Sequence, residues 1–143
     1  MGAEENKAIV RRIDAEVWNK GNLDLIGELI ADDFVLTIVG APEQLRGPQG
    51  FKEFVTSYRS AFPDLRITED EQIAEGDLVV TRWTATGTHQ GDLMGLPPTG
   101  KQATVSGIHV DRFAGGKAVE SWGIFDQLGL LQQLGAIPAP TAV

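Results

Sequence analysis

The chain has 143 residues, no cysteine and a formal net charge of −8 at pH 7. This length suits one domain, residues 1–143, whose core is large enough to enclose a cavity. The acidic balance excludes nucleic acid and anionic membranes as expected partners, and the lack of cysteine excludes disulfides, thiolate nucleophiles and cysteine-based zinc sites.

The first half of the chain predicts three helices and one strand. Ile9, Ile13 and Val17 recur every fourth residue, as on the buried face of an amphipathic helix. Pro48 stands where the first turn of a helix tolerates proline, and the apolar stripe that follows stops at Pro63. The predicted elements are helices at 9–21, 22–31 and 48–62 and a strand at 33–39.

The second half predicts antiparallel strands followed by a short helix. Residues 65–73 alternate in strand fashion, with Glu69 and Ile73 on the same face, and we interpret the acidic run 69–71 as solvated. Residues 90–100 are rich in glycine and proline and predict a structured loop. The other predicted elements are strands at 78–89, 104–113 and 117–126 and a helix at 128–134.

Gly115 and Gly116 separate the last two strands and can supply the positive φ angles of a two-residue primed turn. If Ala114 pairs with Lys117, His109 lies opposite Trp122. One sheet face would then carry His109, Asp111, Glu120, Trp122 and Asp126.

Several short motifs occur in one order along nearly the whole chain. They are Val17-Trp18-Asn19, Gly21-Asn22-Leu23, Phe62-Pro63-Asp64-Leu65, Glu75-Gly76-Asp77 and the segments 82–89, 95–100 and 112–135. In these motifs the chain resembles the SnoaL-like polyketide (ester) cyclases of the nuclear-transport-factor-two-like superfamily. The resemblance implies an α+β cystatin-like cone, in which three N-terminal helices pack on a curved, mostly antiparallel sheet around an apolar pocket.

The resemblance also implies an activity. Enzymes of this family catalyse an intramolecular aldol condensation on an apolar, polyketide-like carbonyl substrate, without cofactor or metal, and usually form homodimers through the outer sheet faces. Two alternatives stay open: a non-catalytic protein that binds a small apolar ligand, and an epoxide hydrolase or hydroxylase-type relative. A carboxyl of raised pKa beside a histidine in the cavity would favour the enzyme, whereas an entirely apolar cavity would favour the binding protein.

We predict Asp126 as the catalytic base, His109 as the donor to the enolate oxygen, and His89 as a second histidine near Asp126. The alternative for Asp126 is a helix N-cap, since it directly precedes the last predicted helix. Many relatives carry an aspartate directly after the tryptophan of this strand, whereas this chain has Gly123. A two-histidine, one-carboxylate metal site is not favoured, because no metal motif accompanies His89 and His109.

The predicted substrate-binding residues are mainly aromatic. They are Trp18, Phe51, Tyr58, Arg82, Trp83 and Trp122, and at most one of Trp83 and Trp122 is expected to line the pocket. For Arg82, an ion pair with Asp111 or Glu120 on a neighbouring strand is the favoured alternative. The N-terminus lacks an apolar signal core and no apolar run reaches about 18 residues, so we expect a cytoplasmic protein.

Overall fold

Helices cover one face of a six-stranded sheet in the computed structural model, which describes residues 2–138. The helices are α1 (Ala3–Arg12), α2 (Ile26–Leu29), α3 (Gly47–Ala61) and α4 (Gln127–Gln133). The strands are β1 (Ile30–Ile38), β2 (Leu45–Arg46), β3 (Arg66–Glu75), β4 (Leu78–Thr88), β5 (Gln102–Ala114) and β6 (Lys117–Phe125). The α+β prediction is confirmed. The described residues form four α-helices, as many as the sequence predicted: three precede β3, and α4 follows β6.

The strands are arranged in the order β2-β1-β6-β5-β4-β3. β1 and β6 run parallel and the other neighbours antiparallel, as a mostly antiparallel sheet requires. α1 packs against β3 and β4, α3 against β1 and β2, and α4 against β5, so the core lies between the helices and one sheet face. Within residues 2–138, no helix has both the length and the apolar character needed to cross a bilayer.

The β5–β6 hairpin turns where the sequence predicted. Gly115 and Gly116 have φ angles of 59° and 81°, and Ala114 pairs with Lys117. The predicted register beyond the turn is wrong, because a bulge between Arg112 and Phe113 shifts the pairing by one residue. His109 therefore lies opposite Gly123. A one-residue shift moves every later side chain of a strand to the other face.

A second bulge, between Glu69 and Glu71, reverses the facing of β3. Because of it, Ile73 points outward with 59% of its surface exposed. Glu69 lies on the inner side, and its Oε2 atom is buried. The interpretation of this acidic run as wholly solvated is therefore wrong for Glu69.

Candidate active site

The helices and the inner sheet face enclose a cavity of about 150 Å³ whose walls are mostly apolar. Aromatic rings make up much of the wall and contact one another edge to face. Trp18 packs against Phe54 at 5.6 Å between ring centroids, Phe54 against Tyr58 at 5.3 Å, and Tyr58 against Phe125 at 6.1 Å. The cavity therefore offers a flat apolar ligand a continuous aromatic wall.

Four of the six predicted substrate-binding residues line this cavity: Trp18, Phe51, Tyr58 and Trp83. Trp83 can lie against the sheet because its cross-strand neighbour is Gly107. A Cβ atom at Gly107 would lie only 2.4 Å from the Trp83 ring. The expectation that only one of Trp83 and Trp122 lines the pocket agrees with this arrangement.

Trp122 and Arg82 lie outside the cavity. Trp122 is 44% exposed on the outer face of β6, because the bulge in the hairpin turns it away from His109. Arg82 is exposed and forms ion pairs with Asp70 at 3.7 Å and Glu71 at 3.5 Å. The structure therefore contradicts a cavity position for both residues. Arg82 does form ion pairs, but its partners are on β3 and are not the predicted Asp111 or Glu120.

His109 and Asp111 form a hydrogen-bonded pair in the cavity wall. They are two residues apart on β5 and hence on one face, and His109 Nδ1 donates to Asp111 Oδ2 over 2.6 Å. Burial lowers the pKa of His109, but the charge of Asp111 and the hydrogen bond outweigh it, so the pKa lies above its ordinary value. Because Nδ1 is bound to Asp111, Nε2 is the ring nitrogen left for a ligand.

Asp14 is the second polar element of the cavity wall, and it comes from the N-terminal helix. It lies in a π-helical turn, Ile13–Trp18, that continues α1, and only 5% of its surface is exposed. The turn is closed by a hydrogen bond from the Asn19 N–H to the Asp14 carbonyl oxygen. Single π-helical turns occur frequently at functional sites.

The Asp14 carboxyl group has an unusual electrostatic environment. Burial raises its pKa well above the ordinary range, and a hydrogen bond to Glu69 together with the charges of Glu69 and Asp111 raises it further. The Oδ2 atom of Asp14 and the Oε2 atom of Glu69 are buried, and no N–H or hydroxyl donor among residues 2–138 reaches them, so a hydrogen bond between the two carboxyl groups requires a proton on one of them. Asp14, Glu69, His109 and Asp111 therefore form one ionisable cluster, which we call the carboxyl–histidine cluster.

Asp126 lies at the surface as the N-cap of α4 and is not among the cavity-lining residues. Its Oδ1 atom accepts a hydrogen bond from the Gly129 N–H at 2.9 Å. Asp126 therefore has the contacts of a helix N-cap, which is the alternative that the sequence left open. The predicted strand pairing put Asp126 on the same sheet face as His109. The bulge in the hairpin shifts that pairing by one residue.

Asp126→Ala is expected to lower the free energy of unfolding by about 1 kcal/mol, because the first turn of α4 loses its side-chain acceptor. Urea unfolding followed by circular dichroism measures this change. Asp92→Ala, which removes an exposed carboxylate bonded only to the Gly95 N–H in a loop, is the control and is expected to have a smaller effect. Equal stability of wild type and Asp126→Ala would contradict the capping role.

His89 is fully buried behind the cavity rather than in its wall. The Thr99 N–H donates to its Nδ1 atom at 3.2 Å, and the ring packs against Phe62 at 5.5 Å. It thus holds the loop at 90–100, and the structure does not bring it together with Asp126. Among residues 2–138, no three side chains of ligand type gather in an arrangement that could hold a metal ion.

Gly123, the position at which the family resemblance predicts an aspartate, lies beside His109 in one row across the sheet. The row pairs Gln72 with Thr81, Thr81 with His109, His109 with Gly123, and Gly123 with Ile38. A Cβ atom at Gly123 would meet Ile38 Cδ1 at 3.4 Å and His109 Cβ at 3.7 Å, which are ordinary contacts. This chain has no side chain at that place.

Asp14 is not among the site residues predicted from the sequence, although the chain contains a signal for it. Val10, Ile13 and Val17 are buried on one helix face, and Asp14 lies on the same face at helical spacing. A carboxylate within an apolar stripe is unusual and marks a candidate functional group. Glu69 and Asp111 carried no comparable signal, because alternation along a strand does not reveal which face is covered.

Known proteins match the chain over nearly its whole length. The model of the SnoaL-like polyketide cyclase family matches residues 8–134. Over 137 residues the chain is 34% identical to aklanonic acid methyl ester cyclase DnrD of Streptomyces peucetius, covering 93% of this chain and 92% of that protein.

Two crystal structures extend the likeness to the fold. AclR of Streptomyces galilaeus, a candidate hydroxylase, matches with a TM-score of 0.86 and 31% identity, over 98% of this chain and 87% of AclR. A candidate polyketide cyclase from Acidithiobacillus ferrooxidans matches with a TM-score of 0.81 and 38% identity, over 92% and 95% of the two chains.

Proposed function

The chain belongs to the SnoaL-like polyketide cyclase family, and from this premise we propose that it closes a carbon ring by an intramolecular aldol reaction. A base removes a proton α to one carbonyl, and the enolate carbon forms a bond to the carbon of a second carbonyl of the same molecule. The resulting alkoxide takes up a proton. All atoms stay in the product, and no oxidant or reductant is consumed.

One observation supports this reaction: a buried carboxyl of raised pKa and a histidine line the same apolar cavity. A carboxylate is a useful base near neutral pH only when burial raises its pKa. Asp14 meets that condition, so we assign it the role expected of Asp126. Glu69 binds the same carboxyl group and helps to set its basicity.

His109 is the proposed donor to the enolate and alkoxide oxygens. In its imidazolium form Nε2–H can donate to the substrate while Nδ1–H stays bound to Asp111. Asp111 thus fixes the ring orientation and favours the charged form. The family resemblance predicts a carboxylate at the position of Gly123; here Asp14 would supply one from the helical wall.

The cavity limits how much of the substrate can enter. A dry cavity of about 150 Å³ is the size that holds one benzene ring. We propose that the reacting ring enters beside the carboxyl–histidine cluster while the rest of a polycyclic substrate stays at the opening. Aklanonic acid methyl ester, the substrate in the name of the relative from S. peucetius, is the first compound to assay.

The rate of ring closure is expected to depend on pH as a bell-shaped curve. Asp14 must be a carboxylate, so kcat rises with pH through a pKa well above the ordinary aspartate range. His109 must be protonated, so kcat falls as the pH passes a value above about 6.5. Measuring kcat in stopped assays at a series of pH values between pH 4 and pH 9 tests this expectation. A rising limb near the ordinary aspartate value of about 3.9 would contradict the role of Asp14.

Hydroxylation is the second candidate reaction, favoured by the likeness to AclR. The mass of the product separates the two reactions, because aldol closure adds no atom, whereas hydroxylation inserts one oxygen atom from dioxygen and consumes two electrons from an added reductant. Incubation of aklanonic acid methyl ester with the protein, followed by mass spectrometry, is the direct test. A product of unchanged mass, or one that has lost water after closure, supports the aldol reaction. An added oxygen atom would overturn it.

We further propose a homodimer formed by the outer sheet faces, in line with the family resemblance. Ile108, Trp122 and Ile124 are 41–44% exposed on adjacent strands of that face. Trp122→Glu is expected to shift the protein from dimer to monomer in sedimentation velocity, because it introduces a charge into the contact. The exposed Met94→Glu, on the loop at 90–100, is the control and should leave the dimer intact. A wild-type monomer would contradict this proposal.

A further inference from the structure

The Asp14 carboxyl group lies in the cavity wall with a buried oxygen that no N–H or hydroxyl donor of residues 2–138 reaches, and it points to a ligand that brings its own positive charge. Asp14 is about 95% buried and lines the cavity, and the oxygen without such a donor is Oδ2. Glu69 Oε2, on β3, is also buried without such a donor, but Glu69 does not line the cavity itself and acts there through its hydrogen bond to Asp14. A buried polar atom without a partner costs free energy, which a bound donor would recover.

We propose that the cavity also binds protonated aromatic amines, whose ammonium group takes the place of the proton that Asp14 and Glu69 share. The aromatic walls suit the rest of such a ligand. Trp18 follows Asp14 on the same helix face, and its ring packs edge to face against Phe54 and, at 6.3 Å, against Phe51. An ammonium group near these rings gains cation–π attraction in addition to the carboxylates.

The cavity size selects a ligand with one ring. Because a space of about 150 Å³ holds a benzene ring, an arylmethylamine such as benzylamine is the smallest probe that has both the ring and the charge. Benzyl alcohol has nearly the same shape and no charge. Comparing the two isolates the ammonium contribution.

The groups around Asp14 determine how the binding depends on pH. Glu69 on β3 and Asp111 on β5 act on the Asp14 carboxyl group, and His109 on β5 and Tyr58 on α3 line the same cavity. Burial raises the pKa of Tyr58, which keeps it neutral, and His109 is paired with Asp111. The amine competes with the shared proton, so its binding releases a proton and strengthens as the pH rises.

Isothermal titration calorimetry of the full chain with benzylamine and benzyl alcohol, at pH 6 and pH 8, tests the proposal. We expect benzylamine to bind at least about tenfold more tightly than benzyl alcohol at pH 8, with a smaller ratio at pH 6. Titration in two buffers of different ionisation enthalpy should show release of about one proton per bound amine. Equal affinity for the two ligands at pH 8 would overturn the proposal.

Asp14→Asn and Glu69→Gln are each expected to abolish the preference for the amine while benzyl alcohol still binds, which also shows that the cavity is intact. Glu71→Gln is the matched control, since it removes one exposed carboxylate from the same strand and should keep the preference. If Glu71→Gln reduced the preference for the amine as much as Asp14→Asn and Glu69→Gln do, general attraction to the acidic chain would explain the preference, and the proposal would fail.

The amine site can fail independently of the proposed ring closure. His109→Gln is expected to keep the amine preference, because the buried oxygens without an N–H or hydroxyl donor belong to Asp14 and Glu69. Loss of the preference in His109→Gln would overturn the assignment of the ammonium group to those two carboxyls. Absence of turnover in the wild type would refute ring closure on the tested ester and leave the calorimetric result standing.

Discussion

Asp14→Asn is expected to lower kcat for ring closure by about 10³-fold, within the range for loss of a general base. The carboxamide keeps the size of the side chain but cannot accept the α proton. KM should change little, because most of the contact with substrate comes from the aromatic walls. Steady-state kinetics on the ester accepted by the wild type measures both constants.

Asp126→Asn is the matched control for Asp14→Asn, since it makes the same chemical change at the exposed cap of α4. Its kcat should stay within about twofold of the wild type, because surface substitutions away from a site seldom affect it. Thermal melting shows whether both variants remain folded. If Asp126→Asn lost turnover and Asp14→Asn kept it, the assignment of the base would be reversed.

His109→Gln is expected to lower kcat by about 10²-fold and to remove the alkaline limb of the pH profile. Glutamine can still donate a hydrogen bond to the enolate oxygen, but it cannot carry the positive charge or deliver a proton. The falling limb belongs to the imidazolium in this mechanism, so it must disappear with the side chain. A full pH profile of kcat for the variant is the measurement.

Asp111→Asn provides a graded control for His109→Gln. It keeps the imidazole but removes the carboxylate whose charge and hydrogen bond raise the pKa of His109. The alkaline limb is therefore expected to move to lower pH rather than disappear. If the alkaline limb stayed in place in Asp111→Asn and persisted in His109→Gln, it would belong to a group other than His109.

The hairpin illustrates what local sequence can predict. A Gly-Gly pair between two strand-like segments needs only its own backbone freedom to form a primed turn, and the turn formed where predicted. The alternation of His109 and Asp111 was also local, and both side chains do share the cavity face. The partners across the hairpin were mispredicted, because the bulge at Arg112 leaves no mark in composition or alternation.

The sequence predicted a carboxyl group and a histidine in the cavity, and the structure places Asp14 rather than Asp126 there with His109. Asp126 was chosen because it ends a strand, yet the structure shows a helix cap outside the cavity. Asp14 is 95 residues before His109 in the chain, and they line one cavity only because α1 packs across the sheet. No local sequence pattern indicates that two residues so far apart in the chain line the same cavity.

The sequence by itself determined the helices and strands, the hairpin turn, the aromatic residues available to line the cavity, and the family. Each of these depends on residue types at short spacing or on motifs in a fixed order. The tertiary structure alone decided which carboxylates are buried together. Two bulges set the strand faces, and the packing of α1 on β3 brought Asp14 to Glu69. The pKa of each group depends on burial and on charges from distant parts of the chain, so it is a property of the folded molecule.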